Sequence, residues 1–588
     1  MCGFLNIINI DSSKNEYEKI FKEFKKINQR GPNSTKKISI NYYTSMFHRL
    51  SIIDLNRRSD QPMFSSCKRY ILNFNGEIYN FVELRRSLKN KGVKFKTKSD
   101  SEVIINGFKE EGNKFVNKLR GMFAFSIWDN RKKKLYLFRD RLGQKPLYYF
   151  KDKNKIIIAS EIKYIKLVVS KLEINYKTVH EFIVNANLDG NNQTFFKKVI
   201  KVPAAHYFII HNNKIIKKKY WSLKLSEKKN FNLKEFKKVF ENNLKIHLRS
   251  DVPISFACSG GIDSTSLLIA SKKMYNKKFF SFSYLNSLDE LKIINNLKKN
   301  YDLDHKFIKF NKFSESEFNK MFKFHDEPFH SLSIYYHYLA RKYISQKGYK
   351  LLINGEGADE VLGGYNNSFY PHLCKIKNLS KTDLNKLIKF YKLNQNKCMK
   401  IISERRYKYE RTKFKLYSIF NHKYLKLNLK DTKKKIICFD NLKKFLKYKI
   451  LNLDLPYILR FEDMNSMSNS IESRTPFVDH KLIEYLFSIK TKYFLKENTT
   501  KYMLKNYWIN YIDKEYSQKK YQRPSFHNKK IVKYMEKFLK ESFNTKDKLI
   551  NIKKVLILIK KKKKSTSIFY LEYLFILNGK IKISFKCY

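Results

Sequence analysis

The sequence is poor in the residues that bend or interrupt a chain: its 588 residues include only 17 glycines, 10 prolines and 3 tryptophans. Lys, Asn, Ile, Phe and Tyr are abundant instead, and 122 basic residues outnumber 53 acidic ones, for a formal net charge of +69. Such a charge is typical of proteins that bind nucleic acid or membranes. The lysines are spread along the whole chain, however, as under the bias of an AT-rich genome, so we expect no nucleic-acid partner.

Other classes of protein are excluded by features that the chain lacks. Its seven cysteines show neither paired nor zinc-like spacing, which fits a reducing compartment. The apolar start ends at Asp11, too early for a signal peptide, and the apolar run at 568–577 is interrupted by Glu572 and too short to span a bilayer. We therefore expect a soluble, cytoplasmic protein with no membrane partner.

Glycine marks the informative stretches, because it is scarce and is needed where backbone approaches a ligand closely. The first stretch is SGGIDS at residues 259–264, between an apolar strand pattern and a helical pattern. Adjacent glycines at a helix start direct backbone N–H groups to one point and predict an anion site. The stretch lacks the Lys-Ser/Thr of a Walker A loop. It resembles the SGGxDS loop of ATP pyrophosphatases, which cleave ATP to AMP and pyrophosphate.

A second glycine-rich stretch, NGEGADE, occupies residues 354–360. From about residue 235 strand patterns alternate with helices, and this predicts parallel strands at 254–258, 279–284, 305–310 and 350–353. Ligands of such sheets bind beyond the carboxyl ends of the strands, where both glycine loops lie. NGEGADE carries three carboxylates that repel one another unless a cation lies among them. Together with Asp263 they predict Mg²⁺ bound to pyrophosphate.

The amino-terminal half carries a different chemistry. Removal of Met1 would leave Cys2 as the first residue, and an α-amine of pKa about 7.7–8.0 can serve as the base for its thiol. Strand patterns at 69–74, 121–128 and 135–139, with helices between the pairs, predict layered antiparallel sheets.

Seven motifs of this half resemble, in order, the class II glutamine amidotransferase domains of the N-terminal-nucleophile fold: MCGFLN, QRGPN, HRLSIIDL, FNGEIYN, SDSEVI, GMFAFSIWD and RDRLGQKPLYY. The resemblance implies that Cys2 attacks the glutamine amide, while the Asn75 side chain and the Gly76 N–H, expected on a rigid turn, form the oxyanion hole. It also implies that Arg49 binds the glutamine α-carboxylate and that Glu77 and Asp100 bind its α-ammonium. The other glutamine-binding positions that it implies are Leu50, Ser51, Ile52 and Ile53.

The carboxy-terminal half resembles the synthetase domain of glutamine-hydrolysing asparagine synthetases. The motifs that carry this resemblance are SGGIDST, HDEPFHSLS, NGEGADEVLGGY, LPYILRFEDMNSMSNSIESRTPFVDH and TKYMLK. The resemblance implies ATP and Mg²⁺ as cofactors and the activation of the aspartate β-carboxylate as an acyl-adenylate. Ammonia from the other domain would reach this intermediate through an internal passage.

The same resemblance assigns residues to the second site. Glu356 would support the adenylate steps, Lys501 would neutralise phosphate charge, and Asp263 and Asp359 would bind the metal. The ATP-binding positions that it implies are Cys258, Ser259, Gly260, Gly261, Asp263, Ser264, Tyr284, Asn354 and Gly355. The sequence departs from the family at Asn354 (usually Ser), Met464 (usually Arg) and the segment 516–526, and these departures bear on the acceptor more than on the ATP chemistry. Gln29 (usually His) departs in the loop over the glutamine pocket.

We therefore expect an αββα sandwich at residues 2–210, a linker at 211–234, and a parallel-sheet α/β domain with a helical carboxy-terminal part at 235–588. The predicted function is ATP-dependent synthesis of asparagine from aspartate with ammonia from glutamine. One alternative is an amidotransferase that aminates another carboxylate, such as a sugar acid. Another is a basic binding protein with an inactive scaffold, which the presence of Cys2, Asn75, Asp263 and Glu356 disfavours. The oligomeric state is left open, with a homodimer as one option.

Overall fold

The computed structural model describes residues 1–9, 14–185, 189–284, 288–308, 313–329, 333–375, 380–391, 393–410, 436–496 and 499–509. The apolar run at 568–577 and the departing segment 516–526 lie outside the described residues. Within the described ranges, no helix is long and apolar enough to cross a membrane.

The strands of the amino-terminal half form two six-stranded antiparallel sheets. In chain order they are β1 (Gly3–Asn9), β2 (Ser34–Ile40), β3 (Tyr43–Arg49), β4 (Met63–Phe64), β5 (Tyr70–Ile78), β6 (Gly121–Asp129), β7 (Lys134–Arg139), β8 (Tyr148–Lys151), β9 (Lys155–Ala159), β10 (Val199–Lys201), β11 (His206–His211) and β12 (Lys214–Lys219). The first sheet has the order β10-β8-β9-β1-β3-β2, and the second has the order β12-β11-β7-β6-β5-β4. Because β12 pairs with β11, the predicted linker at 211–234 begins within a sheet.

The two sheets pack face to face between helices, as the sequence predicts. Phe4 and Phe47 of the first sheet share one buried apolar cluster with Ile71 and Trp128 of the second. Helices cover the two outer faces, where alternate strand residues would otherwise expose apolar side chains to water. The helices of this half are Lys14–Lys26, Phe81–Lys89, Asp100–Glu111, Ile162–Val168 and Tyr176–Asn185, with short 3₁₀ segments at Arg57–Ser59 and Gly112–Lys118.

The carboxy-terminal half is built on a five-stranded sheet whose pairings are parallel. The strands of this half are β13 (Ile254–Ala257), β14 (Phe280–Tyr284), β15 (Asp304–Ile308), β16 (Leu351–Ile353), β17 (Tyr407–Glu410), β18 (Ile436–Phe439), β19 (Glu472–Arg474), β20 (Leu495–Lys496) and β21 (Thr499–Thr500). The parallel sheet has the order β15-β14-β13-β16-β19. The predicted parallel strands are confirmed as β13 to β16, whereas β19 has no apolar run and was not predicted.

Helices surround this sheet and extend beyond it. Their bounds are Leu233–His247, Ile262–Tyr275, Leu288–Tyr301, Glu315–Phe324, Ser333–Gln346, Ala358–Leu362, Phe369–Leu373, Lys381–Tyr391, Gln395–Glu404, Leu442–Asn452, Asp454–Met467, His480–Ser488 and Tyr502–Trp508. Short 3₁₀ segments occur at Asn366–Ser368, Pro476–Val478 and Thr491–Tyr493.

The two halves meet through buried and partly buried ion pairs. The guanidinium of Arg30, from the QRGPN motif, donates to both carboxylate oxygens of Asp463 at 2.8 and 3.1 Å. Lys145 Nζ lies 3.3 Å from the same carboxylate, and Arg120 pairs with Asp479 at 2.8 Å. Buried charges are tolerated only when they are paired in this way, so these contacts fix how the halves dock.

Candidate active sites

The predicted nucleophile lies where the halves meet. Cys2 is 7% exposed, and its backbone N–H donates to Asn75 Oδ1 at 3.2 Å. Its Sγ lies 3.9 Å from the carbonyl oxygen of Leu50, which brings the predicted pocket segment at 50–53 beside the thiol. Leu50, Ser51, Ile52 and Ile53 are all buried.

The Asn75 side chain is placed as an oxyanion donor requires. Its Nδ2 is buried and has no hydrogen-bond partner within the described part of the chain. Beside it, a Cβ at Gly76 would lie 2.1 Å from the carbonyl oxygen of Met122, so only glycine fits. The expectation that both residues lie on a turn was wrong: they are inside β5, paired with β6. Cross-strand hydrogen bonds hold this backbone more rigidly than a turn would.

Burial controls the protonation of this site. It raises the pKa of the Cys2 thiol, and the neighbouring amino group works in the opposite direction. Burial also lowers the pKa of the Met1 amino group, which lies 3.4 Å from Glu472 Oε2. Met1 is present in this structure, and the predicted base is the α-amine that Cys2 gains when Met1 is removed.

Two acids of the predicted glutamine pocket are buried together. Asp100 Oδ2 accepts a hydrogen bond from the Ile78 N–H at 2.9 Å, and burial raises the pKa of Asp100 to about 6. Glu77 has one buried oxygen, Oε1, without a hydrogen-bond partner among the described residues. Burial, and then the charge of Asp100, raises the pKa of Glu77 well above its usual value. Acids in this arrangement suit a cationic ligand, which restores the ionised forms.

The Arg49 guanidinium is held by its own loop. Its Nη1 donates to the Asn56 carbonyl and to Asp60 Oδ1, both at 2.8 Å, and its Nη2 donates to the Asp54 carbonyl. These contacts orient the guanidinium. The binding of a glutamine carboxylate by Arg49 stays a prediction.

The SGGIDS loop turns from β13 into the helix Ile262–Tyr275. The Ser259 N–H donates to Ser264 Oγ at 3.1 Å, and Gly260 has a φ of +79°. Gly261 precedes the helix without a side-chain cap, so N–H groups of the first turn remain available to a ligand. The second loop approaches this turn closely, because a Cβ at Gly355 would lie 3.0 Å from the Ser264 nitrogen.

Two other predicted ATP-binding positions, Cys258 and Tyr284, lie at the carboxyl edge of the same sheet. The backbone N–H of Cys258 donates to the Phe282 carbonyl at 2.8 Å. The Tyr284 hydroxyl donates to the Tyr336 carbonyl at 2.5 Å. The contact of these positions with a nucleotide stays a prediction.

Lys501 lies where the two glycine loops meet. Its Nζ donates to Asp263 Oδ2 at 2.5 Å and lies 2.7 Å from Asp359 Oδ1. Gly364 packs closely against the Asp359 carboxylate, because a Cβ at this position would lie 1.8 Å from Asp359 Oδ1. Burial lowers the pKa of Lys501, but the two carboxylates outweigh burial, so that the pKa is raised and the ammonium stays charged.

The carboxylates fit Mg²⁺ in part. Asp263 and Asp359 come together as predicted, and Asp263 Oδ1 is buried without a hydrogen-bond partner in the described ranges. The expected contribution of Glu360 was wrong: this residue is buried and accepts a hydrogen bond from the Tyr365 hydroxyl at 2.5 Å. The described residues contain no group of three or more His, Cys, Asp or Glu residues that could hold a metal. Two carboxylates suit Mg²⁺ when phosphate oxygens supply further ligands.

Asn354, one of the departures from the family, belongs to a buried network behind the second loop. Its Nδ2 donates to Glu462 Oε1 at 3.0 Å and to Ser473 Oγ at 2.7 Å, and its Oδ1 accepts from the Glu356 N–H at 3.0 Å. Glu462 also accepts from Arg341 at 2.6 and 2.7 Å. Sequence reasoning missed Arg341, Glu462 and Ser473, although the last two lie in a quoted motif. The Asn354 side chain therefore positions the backbone of Glu356 through this last hydrogen bond.

A cysteine next to the amino terminus on an αββα sandwich, and a glycine-loop anion site on a parallel sheet, together define a glutamine-dependent amidotransferase with a nucleotide site. Comparison with known families agrees with this class. The model of the glutamine amidotransferase domain matches residues 1–221, and the model of asparagine synthase matches residues 235–576. The chain belongs to the asparagine synthase family, and it is an amidotransferase ligase.

Three relatives show how far the similarity extends. Glutamine-hydrolysing asparagine synthetase 1 of Bacillus subtilis is 27% identical, over 86% of this chain and 84% of its own. A putative asparagine synthetase of Methanocaldococcus jannaschii is 30% identical, over 62% of this chain and 76% of its own. Amidase chry2 of Gibberella zeae is 30% identical, over 58% of this chain and 54% of its own.

Proposed function

We propose that the protein makes asparagine from aspartate, with ATP as the activating substrate and glutamine as the source of ammonia. AMP, pyrophosphate and glutamate are the other products. The observation that supports the proposal most is the contact of Lys501 with Asp263 and Asp359 where the two glycine loops meet. It joins a phosphate-neutralising cation, two metal-binding carboxylates and an anion-binding helix start at one point.

In the amino-terminal half, removal of Met1 gives Cys2 a free α-amine, which takes the thiol proton, and the thiolate attacks the side-chain amide carbon of glutamine. Charge develops on the amide oxygen, which accepts hydrogen bonds from Asn75 Nδ2 and the Gly76 N–H. Preorganised donors stabilise this charge without a cost of reorientation. The protonated amine returns its proton to the leaving nitrogen, so that ammonia leaves, and water hydrolyses the resulting thioester to glutamate.

In the carboxy-terminal half, a β-carboxylate oxygen of aspartate attacks the α-phosphorus of ATP and pyrophosphate leaves. N–H groups at the start of the helix Ile262–Tyr275 bind the phosphates, and Lys501 neutralises the charge that develops on pyrophosphate. Bound Mg²⁺, held by Asp263 and Asp359, would supply further positive charge to the phosphates. Ammonia then attacks the acyl carbon, and AMP is the leaving group.

The acceptor is tested separately, because Asn354 and Met464 depart from the family and one relative of similar identity carries the name amidase. Pyrophosphate release from ATP and Mg²⁺ should therefore be measured with aspartate and with a panel of other carboxylic acids. We expect release with aspartate, and asparagine when glutamine is added. If glutamine is hydrolysed but aspartate triggers neither product, the acceptor is another carboxylate. The cytoplasmic location and a homodimer stay predictions.

A further inference from the structure

One short strand connects the two sites. β19 (Glu472–Arg474) lies at the edge of the parallel sheet, with Ile353 of β16 opposite Arg474. The Asn354 N–H donates to the Arg474 carbonyl at 3.1 Å, so the backbone of this strand supports the start of the NGEGADE loop. The side chain of Arg474 is fully buried and reaches the glutamine pocket of the other half.

Arg474 is fixed by four contacts besides its backbone. Its Nε donates to Glu472 Oε1 at 2.7 Å, and its Nη1 donates to the carbonyls of His247 and Arg249 at 2.7 and 2.6 Å. Its Nη2 lies 3.3 Å from Glu77 Oε2. A guanidinium held in this way has one fixed position, and that position is against the acid predicted to bind the α-ammonium of glutamine.

The charges around Glu77 show what Arg474 does there. The charged groups that act on Glu77 are Asp100, Arg474, Glu472 and the amino group of the chain. Two of them are buried acids that oppose the ionisation of Glu77, and Arg474 is the nearby guanidinium that favours it. Without this guanidinium the buried carboxylates would be less well compensated, and Glu77 would hold its proton more tightly.

We propose that Arg474 is a positioning residue for glutamine: from the synthetase half it orients Glu77 and favours its ionised form, so that Glu77 and Asp100 bind the α-ammonium. This inference rests on the proposed function, because it assumes that glutamine binds beside Cys2. Glutamine binding in one half then depends on a side chain contributed by the other half.

The test compares Arg474→Gln, Arg474→Lys and the control Arg120→Gln in the full-length protein. Arg120 forms a partly buried ion pair between the halves, with Asp479 at 2.8 Å. Glutamate release is measured against glutamine concentration from pH 6.5 to about 9, a range that covers the titration of a raised carboxyl and of the amine. We expect Arg474→Gln to raise the KM for glutamine at least tenfold at neutral pH, with a smaller effect on kcat.

The pH dependence separates this role from a merely structural one. Loss of the guanidinium raises the pKa of Glu77, so the ionised form returns only at higher pH. The KM ratio of Arg474→Gln to the parent should therefore fall as pH rises, and Arg474→Lys should restore most of the affinity. A KM for Arg474→Gln that equals the value for Arg120→Gln at every pH would overturn the inference.

A double variant keeps the test valid if Arg474→Gln does not fold, because removal of both partners leaves no unpaired charge between them. If Arg474 acts through Glu77, then Glu77→Gln with Arg474→Gln should have the same KM as Glu77→Gln alone. A further tenfold increase in the double variant would contradict this. If the parent itself releases no glutamate, it is the proposed function that fails; if only the variants are unaffected, the inference alone is wrong.

Discussion

Replacement of Asn75 by alanine should separate catalysis from stability. The loss of one oxyanion donor lowers kcat by about 10²- to 10³-fold, or roughly 3–4 kcal/mol of transition-state stabilisation. The folded state loses the hydrogen bond from the Cys2 N–H, worth about 1 kcal/mol. It also loses a buried donor without a partner, Nδ2, whose desolvation costs about 1–3 kcal/mol. These two effects oppose each other, so we expect the free energy of unfolding to change little.

Asn73 provides a matched control two residues earlier on the same strand. Like Asn75 it is fully buried, but its side chain is satisfied: Nδ2 donates to the Tyr43 hydroxyl at 2.9 Å and Oδ1 accepts from Ser45 Oγ at 2.8 Å. Asn73→Ala should therefore destabilise the fold more and leave kcat for glutamine hydrolysis closer to the parent value. The assays are glutamate release at saturating glutamine and denaturant unfolding. A kcat for Asn75→Ala within about threefold of the parent, less than 1 kcal/mol, would refute the oxyanion role.

Three further predictions concern the second half. Lys501→Met should lower aspartate-dependent pyrophosphate release at least about 100-fold, because Asp263 and Asp359 lose their shared cation, while glutamine hydrolysis continues; an unchanged rate of release would contradict this role. Asn354→Ser should change pyrophosphate release by about 10- to 100-fold at most, since one buried polar contact is worth about 1–3 kcal/mol, and a larger effect would contradict a positioning role. Burial raises the pKa of Glu360 to about 8, so Glu360 binds its proton more tightly in the folded protein than in the unfolded chain. The free energy of unfolding therefore falls as pH rises towards 8. Glu360→Gln should lose less stability than the parent over that range, as measured by denaturant midpoints, and parallel pH profiles would show that Glu360 is not buried in its neutral form.

The sheets of both halves were predictable because most of their core strands carry apolar residues in short runs or at alternate positions. The hairpin of β6 and β7 and the parallel strands β13 to β16 follow this rule. The scarce glycines also located both loops of the nucleotide site, since Gly260 needs a positive φ and Gly355 allows a close backbone approach. Local sequence is sufficient where burial or backbone geometry restricts the choice of residue.

Features that depend on distant partners could not be predicted. β19 has the sequence Glu-Ser-Arg. It forms a strand only because it pairs with β16 and because buried counter-charges neutralise its charged side chains. Glu360 resembles a metal ligand in sequence, but the turn of a short helix directs it to Tyr365. Asn75 and Gly76 read as a turn, yet β6 pairs along both residues and keeps them in a strand.

The central claim is that nitrogen passes within one protein from glutamine, cleaved at Cys2, to an activated carboxylate. The direct test supplies glutamine labelled with ¹⁵N in the amide, together with aspartate, ATP, Mg²⁺ and an excess of unlabelled ammonium. The account predicts asparagine whose amide carries mostly ¹⁵N, and a switch to unlabelled nitrogen in Cys2→Ala. Asparagine labelled no more than the bulk ammonium, or labelled equally in both proteins, would contradict it.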